Sequence, residues 1–268
     1  MGCFLIHETL VSFAYMTWAS RRQGLYLLGT IVVLGLLFGV PLYFYLYDEP
    51  TCRDGIQNGL EEGVDCGGGC EKVCAFQAIE PIVHWKQEFE VAPGVYTVVA
   101  LVENANDSYE SVAVPYVFRL YDSKNVFIAE RKGQVYLSPH MVIPVFETGI
   151  HTGERVPTRV EFLFEKEIVW TNSAFSLPDV DVISRRFENE DAAPRLLVTL
   201  RNNTLYTFSR IPVVVVLYDA SDNALHASRT VIPSLPATSD KEIVFTWPQP
   251  FGAPVARVDV VQLYPFSQ

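Results

Sequence analysis

Twenty-three consecutive residues, Leu25 to Tyr47, carry no formal charge. As a helix rising ~1.5 Å per residue the run reaches about 35 Å, enough to cross the hydrocarbon core of a bilayer. Tyr26 stands near one end and Tyr43, Tyr45 and Tyr47 near the other, where interfacial aromatic belts lie, and Pro41 is tolerated in such a helix. A core helix of a water-soluble protein is rarely apolar all round for this length. Arg21 and Arg22 precede the run, and Asp48 and Glu49 follow it. The charge bias puts the N-terminus in the cytoplasm and exports everything after it, to the extracellular or periplasmic side. A cleaved signal peptide is the competing reading; its apolar core usually runs to only ~7–15 residues, and no small-x-small site precedes Asp48. The expectation is a cytoplasmic tail over 1–24, which holds Cys3 and two start residues, Met1 and Met16, and a single transmembrane helix over 25–47.

Net charge is −11, and beyond residue 47 there are 18 basic against 30 acidic residues. Arg185-Arg186 and Arg131-Lys132 are isolated basic pairs among carboxylates, so no groove that tracks phosphates is expected, and nucleic acid is excluded as a partner.

Four of the five cysteines fall in 48–76, at Cys52, Cys66, Cys70 and Cys74, with thirteen, three and three residues between them. The segment is too short and too Gly-rich to bury a core. On the exported side two disulfides supply its rigidity, each worth roughly 2–4 kcal/mol, and three pairings are open. The spacing lacks the paired C-x2-C knuckles of structural zinc, and no His lies within the segment. Asp54, Asn58, Glu61, Glu62 and Asp65 offer hard oxygens from Gly-hinged turns, the ligand class of Ca²⁺, so calcium is the one cofactor the module admits. Ordinary Asp-Gly and Asn-Gly turn chemistry is the competing account of the same residues.

The string CRDGIQNGLEEGVDCGGGCEKVC resembles a short Cys-rich repeat of bacterial secreted and surface proteins, C-x-DGxxNGxExxVDCGGxCxxC. This chain has one residue more between its last two cysteines. The resemblance covers about 25 residues and implies a bacterial source, a surface location and no enzymatic activity.

Past the module, short apolar or alternating runs are divided by Pro, Gly, Asn and Asp: VYTVVALVE, SVAVPYVFRLYD, NVFIAERKGQVYL, HMVIPVFE and TRVEFLFE. RLLVTLRN, RIPVVVVLYD, ALHASRTVI, KEIVFTW and VARVDVVQLYP then repeat the order. Such runs read as strands. A shift of 97 carries Pro115 onto Pro212 and Leu120, Tyr121, Asp122 onto Leu217, Tyr218, Asp219. The same shift sets Asn104 and Asn106 beside Arg201 and Asn203, and Phe89 meets Phe187 after a one-residue slip. The reading is all-β: two tandem antiparallel immunoglobulin-like sandwiches, over 80–176 and 177–268, following the membrane helix and the disulfide module. In each copy the Leu points into the core, the Tyr points the other way, and the Asp accepts turn amides. Phe118 to Asp122 resembles the signature of the FxLYD family and, more distantly, the water-stress domains; the second copy has Val215 in place of the Phe.

The five His are scattered, and no nucleophile elbow, HExxH, Walker or GxGxxG pattern occurs. Trp85, Trp170 and Trp247 serve either core packing or a sugar-stacking face. Asn106-Asp107-Ser108 and Asn202-Asn203-Thr204 fit glycosylation sequons. No catalytic residue is expected. The functional expectation is a non-catalytic, membrane-anchored surface protein whose sandwiches meet an envelope protein or a glycan, with a passive spacer as the alternative and an enzyme with an interdomain site as the lesser one.

Overall fold

The computed structural model describes residues 18–47 and 49–264. Met1, Cys3, Met16 and Asp48, on which part of the expectation for the tail and flank rests, lie outside the described residues. The chain divides into two units between Gly59 and Leu60.

In the first unit the apolar run is helical, and the helix already includes Trp18, seven residues before Leu25. Ala19, Arg21, Arg22 and Gln23 are good helix formers and extend it past the apolar stretch. Helix α1 (Trp18–Leu34) passes through a π-helical turn at Gly35–Gly39 into α2 (Val40–Leu46). Pro41, near the start of α2, has no N–H to donate to the preceding turn and crowds its carbonyl, so the hydrogen-bond ladder slips there. No residue of either helix is buried. The helix is long and apolar enough to cross a membrane.

In the second unit thirteen strands follow the disulfide module. The first seven are β1 (Ile82–Ala92), β2 (Val95–Asn104), β3 (Tyr109–Tyr121), β4 (Phe127–Leu137), β5 (Met141–His151), β6 (Arg159–Phe164) and the short β7 (Thr171–Asn172). They form the antiparallel sheets β1-β2-β5 and β4-β3-β6, with β7 pairing onto β3. The remaining six are β8 (Val180–Glu188), β9 (Arg195–Asn202), β10 (Phe208–Tyr218), β11 (Ala224–Leu235), β12 (Asp240–Thr246) and β13 (Arg257–Gln262), in sheets β8-β9-β12 and β11-β10-β13. Each pair of sheets closes on its own core. Val98, Val102, Phe118, Leu120 and Phe162 fill the first, and Leu196, Val198, Val213, Leu217 and Phe245 the second.

The duplication extends to backbone irregularities. Ala113 and Arg210 both have positive φ, 54° and 53°, just before the core residues Val114 and Ile211. Bulges interrupt β1 between Val83 and Trp85 and β8 between Val182 and Ser184. The Arg159 guanidinium lies over Tyr121 at 3.9 Å, and that of Arg257 over Tyr218 at 3.8 Å.

A third apolar core joins the two sandwiches. Val98, Ala100 and Val102 of β2 face the first core, whereas Val99 faces outward onto Val214, Val216 and Tyr218 of β10, with Phe89, Phe146, Ala224 and Ala227 around them. Both strands are therefore apolar on both faces, as central layers require. Each Val or Phe side chain buried here is worth roughly 1.5–3 kcal/mol relative to exposure. The Arg229 guanidinium donates to the Phe146 carbonyl at 3.2 Å, and the Gln87 amide to the Ala224 carbonyl at 3.2 Å. The β1-β2-β5 sheet thus backs onto the β11-β10-β13 sheet, and the sandwiches stack front to back as four layers.

Candidate functional site

The disulfide module is built from turns. Cys66 is bonded to Cys74 with Cα atoms 5.0 Å apart, and Cys52 and Cys70 are each oxidised. No thiolate of the four remains for a metal. Gly68 is required because φ is +57° and an added Cβ would stand 1.7 Å from the Leu60 carbonyl oxygen.

Asp54 and Glu61, two of the five oxygen-bearing residues, cap their own turns. Asp54 accepts from the Thr51 amide at 3.1 Å, the Ile56 amide at 2.9 Å and the Asn58 side-chain amide at 2.9 Å. Those donors, Asn58 first, hold its carboxyl below the usual range. Glu61 accepts from the Asp65 amide at 3.2 Å, and Glu62 from the Gln77 side chain. Asp65 takes a positive φ of 54°. A carboxylate already accepting amides must give them up to coordinate calcium, so the observed hydrogen bonds fit turn capping better than a cation cage.

The part of the module beyond Leu60 is fused to the first sandwich. Lys72 bridges to Thr171, Val73 N–H donates to the Trp170 carbonyl at 2.9 Å, and Val73 itself enters the sandwich core. Asn106 clamps the segment leaving the module: Ile79 N–H donates to its Oδ1 at 2.7 Å and its Nδ2 donates to the Ile79 carbonyl at 2.8 Å.

Behind that clamp lies a pair of residues that sequence reasoning misaligned. Asn104 Nδ2 faces the carbonyls of Tyr109, Leu137 and Ser138 at 2.9, 3.1 and 3.1 Å. Asn202 Nδ2 faces those of Tyr206, Leu235 and Pro236 at 2.8, 3.3 and 2.9 Å. Both are fully buried. Asn104 therefore matches Asn202, not Arg201; the offset is 98 here, 97 from Tyr109 to Asp122 because the second turn is one residue shorter, and 98 again at Leu137 and Ser138. Phe89 and Phe187 are not equivalents either: Phe89 opposes Thr97 and faces the joint, while Phe187 opposes Leu196 and packs on the second core. Asn106 and Asn202, the acceptor residues of the two sequons, are buried with their amide nitrogens engaged, so neither is open to glycosylation in the folded protein.

The LYD signature is used asymmetrically. Leu120 and Leu217 are fully buried. Asp122 accepts the backbone amides of Val126 and Lys124, and Asp219 accepts the Asn223 side-chain amide and the backbone amides of Asn223 and Ser221; these bonds hold both carboxyls below the usual range. Tyr121 is half-buried on an outer face, whereas Tyr218 is buried in the joint with the Trp85 ring edge-on at 6.3 Å. Trp170 and Trp247 are core residues, so the three tryptophans make no common sugar platform. The buried Glu110 accepts the hydroxyls of Tyr136 and Ser173, tying the segment around β7 to the sandwich.

No family model matches the chain, and no curated protein does. Among solved structures it is similar to red sea bream transglutaminase, at 11% identity and TM-score 0.25, over 72% of this chain and 32% of that one. It is also similar to a β-glucuronidase of glycoside hydrolase family 2, at 9% identity and TM-score 0.23, over 81% of this chain and 29% of that one. The chain spans about a third or less of each. Scores this low carry no argument about activity.

Proposed function

We propose that this is a non-catalytic, single-pass membrane protein whose exported part presents two welded sandwiches to another envelope protein or a glycan. Arg21 and Arg22 set the orientation, and the oxidised cysteines belong with an extracellular or periplasmic compartment. The observation that carries the reading is the third core. A joint lined by Val99, Phe146, Val214 and Tyr218 makes the exported domains one body, suited to holding a recognition surface in fixed geometry. The same rigidity supports the second reading, a spacer. The Cys-rich and FxLYD resemblances agree with a surface setting for both.

The test is crosslinking in intact envelope followed by capture of the full chain under denaturing conditions. A defined adduct on the exported sandwiches is expected; absence of any adduct with crosslinkers of several lengths favours the spacer. Modification of Arg21-side epitopes from outside intact cells would overturn the orientation.

A further inference from the structure

A cleft of about 530 Å³ opens where the disulfide module meets the first sandwich, within the size range of ligand sites. One wall is the irregular segment through Ala78, Glu80 and Pro81; the other is the run from Phe164 through Glu167 and Ile168 to Trp170. Phe164, Ile168 and Trp170 give it an apolar floor continuous with the first core. Phe76, Ile79 and Val169, each next in sequence to a lining residue, are exposed at 74%, 53% and 54%.

Charge at the rim is acidic. Glu165 is paired with Lys132, but Glu80 and Glu167 have no ion-pair partner among the described residues, and Lys166 is the one cation in the lining. The backbone groups of Lys166, Glu167 and Ile168 make no backbone hydrogen bond among the described residues, which leaves donors and acceptors along one wall for an extended chain.

The geometry points to this cleft as the docking site for a basic, apolar peptide segment of another protein. An aliphatic or aromatic side chain rests on the Phe164–Trp170 floor, and flanking Arg or Lys face Glu80 and Glu167. Nucleic acid and anionic headgroups are repelled by the same carboxylates. The inference rests on the interaction reading above and assigns it a surface and a partner chemistry.

The probe is a fluorescent hexapeptide alternating arginine with leucine and phenylalanine, titrated by anisotropy against the full chain in zwitterionic nanodiscs at about 0.15 M ionic strength. Saturable binding is expected, with at least a tenfold loss in the Glu80→Gln/Glu167→Gln variant. A Glu154→Gln/Glu190→Gln control, with the same net charge change at two exposed turns away from the cleft, should stay within twofold. Absence of binding, or equal losses in both variants, overturns the cleft. Concentration-dependent self-association abolished by the cleft variant would assign the cleft to a second copy and likewise overturn the peptide. Envelope adducts formed equally by wild type and cleft variant would sink the cleft while leaving the interaction reading standing.

Discussion

Replacing Asn104 by Leu should be among the most damaging single changes outside the apolar cores. Its Nδ2 carries two protons shared among three carbonyls at 2.9 to 3.1 Å, and its Oδ1 accepts the Asn106 amide at 3.0 Å and the Asn106 side chain at 2.8 Å. Each bond lost costs about 1–1.5 kcal/mol net, and a buried carbonyl left bare costs about 1–3 kcal/mol. With two donor bonds gone and the Asn106 clamp on Ile79 loosened, the expected loss is about 3–5 kcal/mol. For a body of this size that corresponds to a Tm lower by roughly 6–20 °C. Urea unfolding of the full chain in micelles, followed by tryptophan fluorescence, measures it. Asn104→Asp should be no better at neutral pH, because it aims a carboxylate oxygen at carbonyl oxygens. Asn203→Leu, next to the second copy's equivalent but exposed, should cost under about 1 kcal/mol. A loss below about 1 kcal/mol for Asn104→Leu, or a tolerated Asp, refutes the carbonyl-clamp account.

Four further outcomes are expected. Arg210→Gly and Ala113→Gly should each stabilise by about 0.5–1 kcal/mol in urea unfolding, because Gly relieves the positive φ at these two positions; destabilisation refutes the strain. Phe146→Ala should cost about 3–5 kcal/mol and split a single unfolding transition in calorimetry into two, whereas Val244→Ala, at the equivalent but outward-facing place in the second copy, should cost under about 1.5 kcal/mol. Burial holds the His226 imidazole below its ordinary value, so the folded state favours the neutral ring. Its stability contribution is complete above the unfolded value near ~6.5 and is lost as pH falls through that value toward the folded one. Half-burial raises Glu88, which acts in the opposite sense, so the readout is the difference between wild type and His226→Phe; identical pH curves from 7 to 5 refute it. Calorimetric titration of the oxidised chain should show no saturable calcium binding up to about 1 mM; a saturable heat would mean Asp54 and Glu61 release their turn amides.

The central strands were legible because VYTVVALVE and RIPVVVVLYD are apolar on both faces, and the fold class followed from their repetition. What covers the second face was not legible. Alternation reports that Val99 and Val214 are buried, not that they are buried against each other, and the outward Tyr of the LYD signature meets solvent in one copy and the joint in the other. Strands β1 and β8 escaped notice because they are edges: KQEFE and ISRRFE carry charge at nearly every exposed place, as edge strands do. The Asn pair was visible as composition but shifted by one, since the residue missing from the second turn is located only by which carbonyls each amide holds. In the Cys-rich segment the oxidised staple was readable from spacing and side. The cleft beside it was not, because its walls come from residues about 85 apart in sequence.

The front-to-back stack has a further consequence. Two copies that join through different faces form a heterologous contact, and such a contact repeats without limit unless something stops it. Sheet β8-β9-β12 is the free counterpart of the face that docks in the first copy. There Glu188 stands in the place of Phe89, Arg195 in that of Thr97 and Glu242 in that of Pro144. At the opposite end, Arg119 and Glu130 pair at 2.9 Å where the second copy has Val216 and Ala227. The chain is a two-unit polymer with both growing ends charged, and the substitutions that separate the copies are the ones that terminate it.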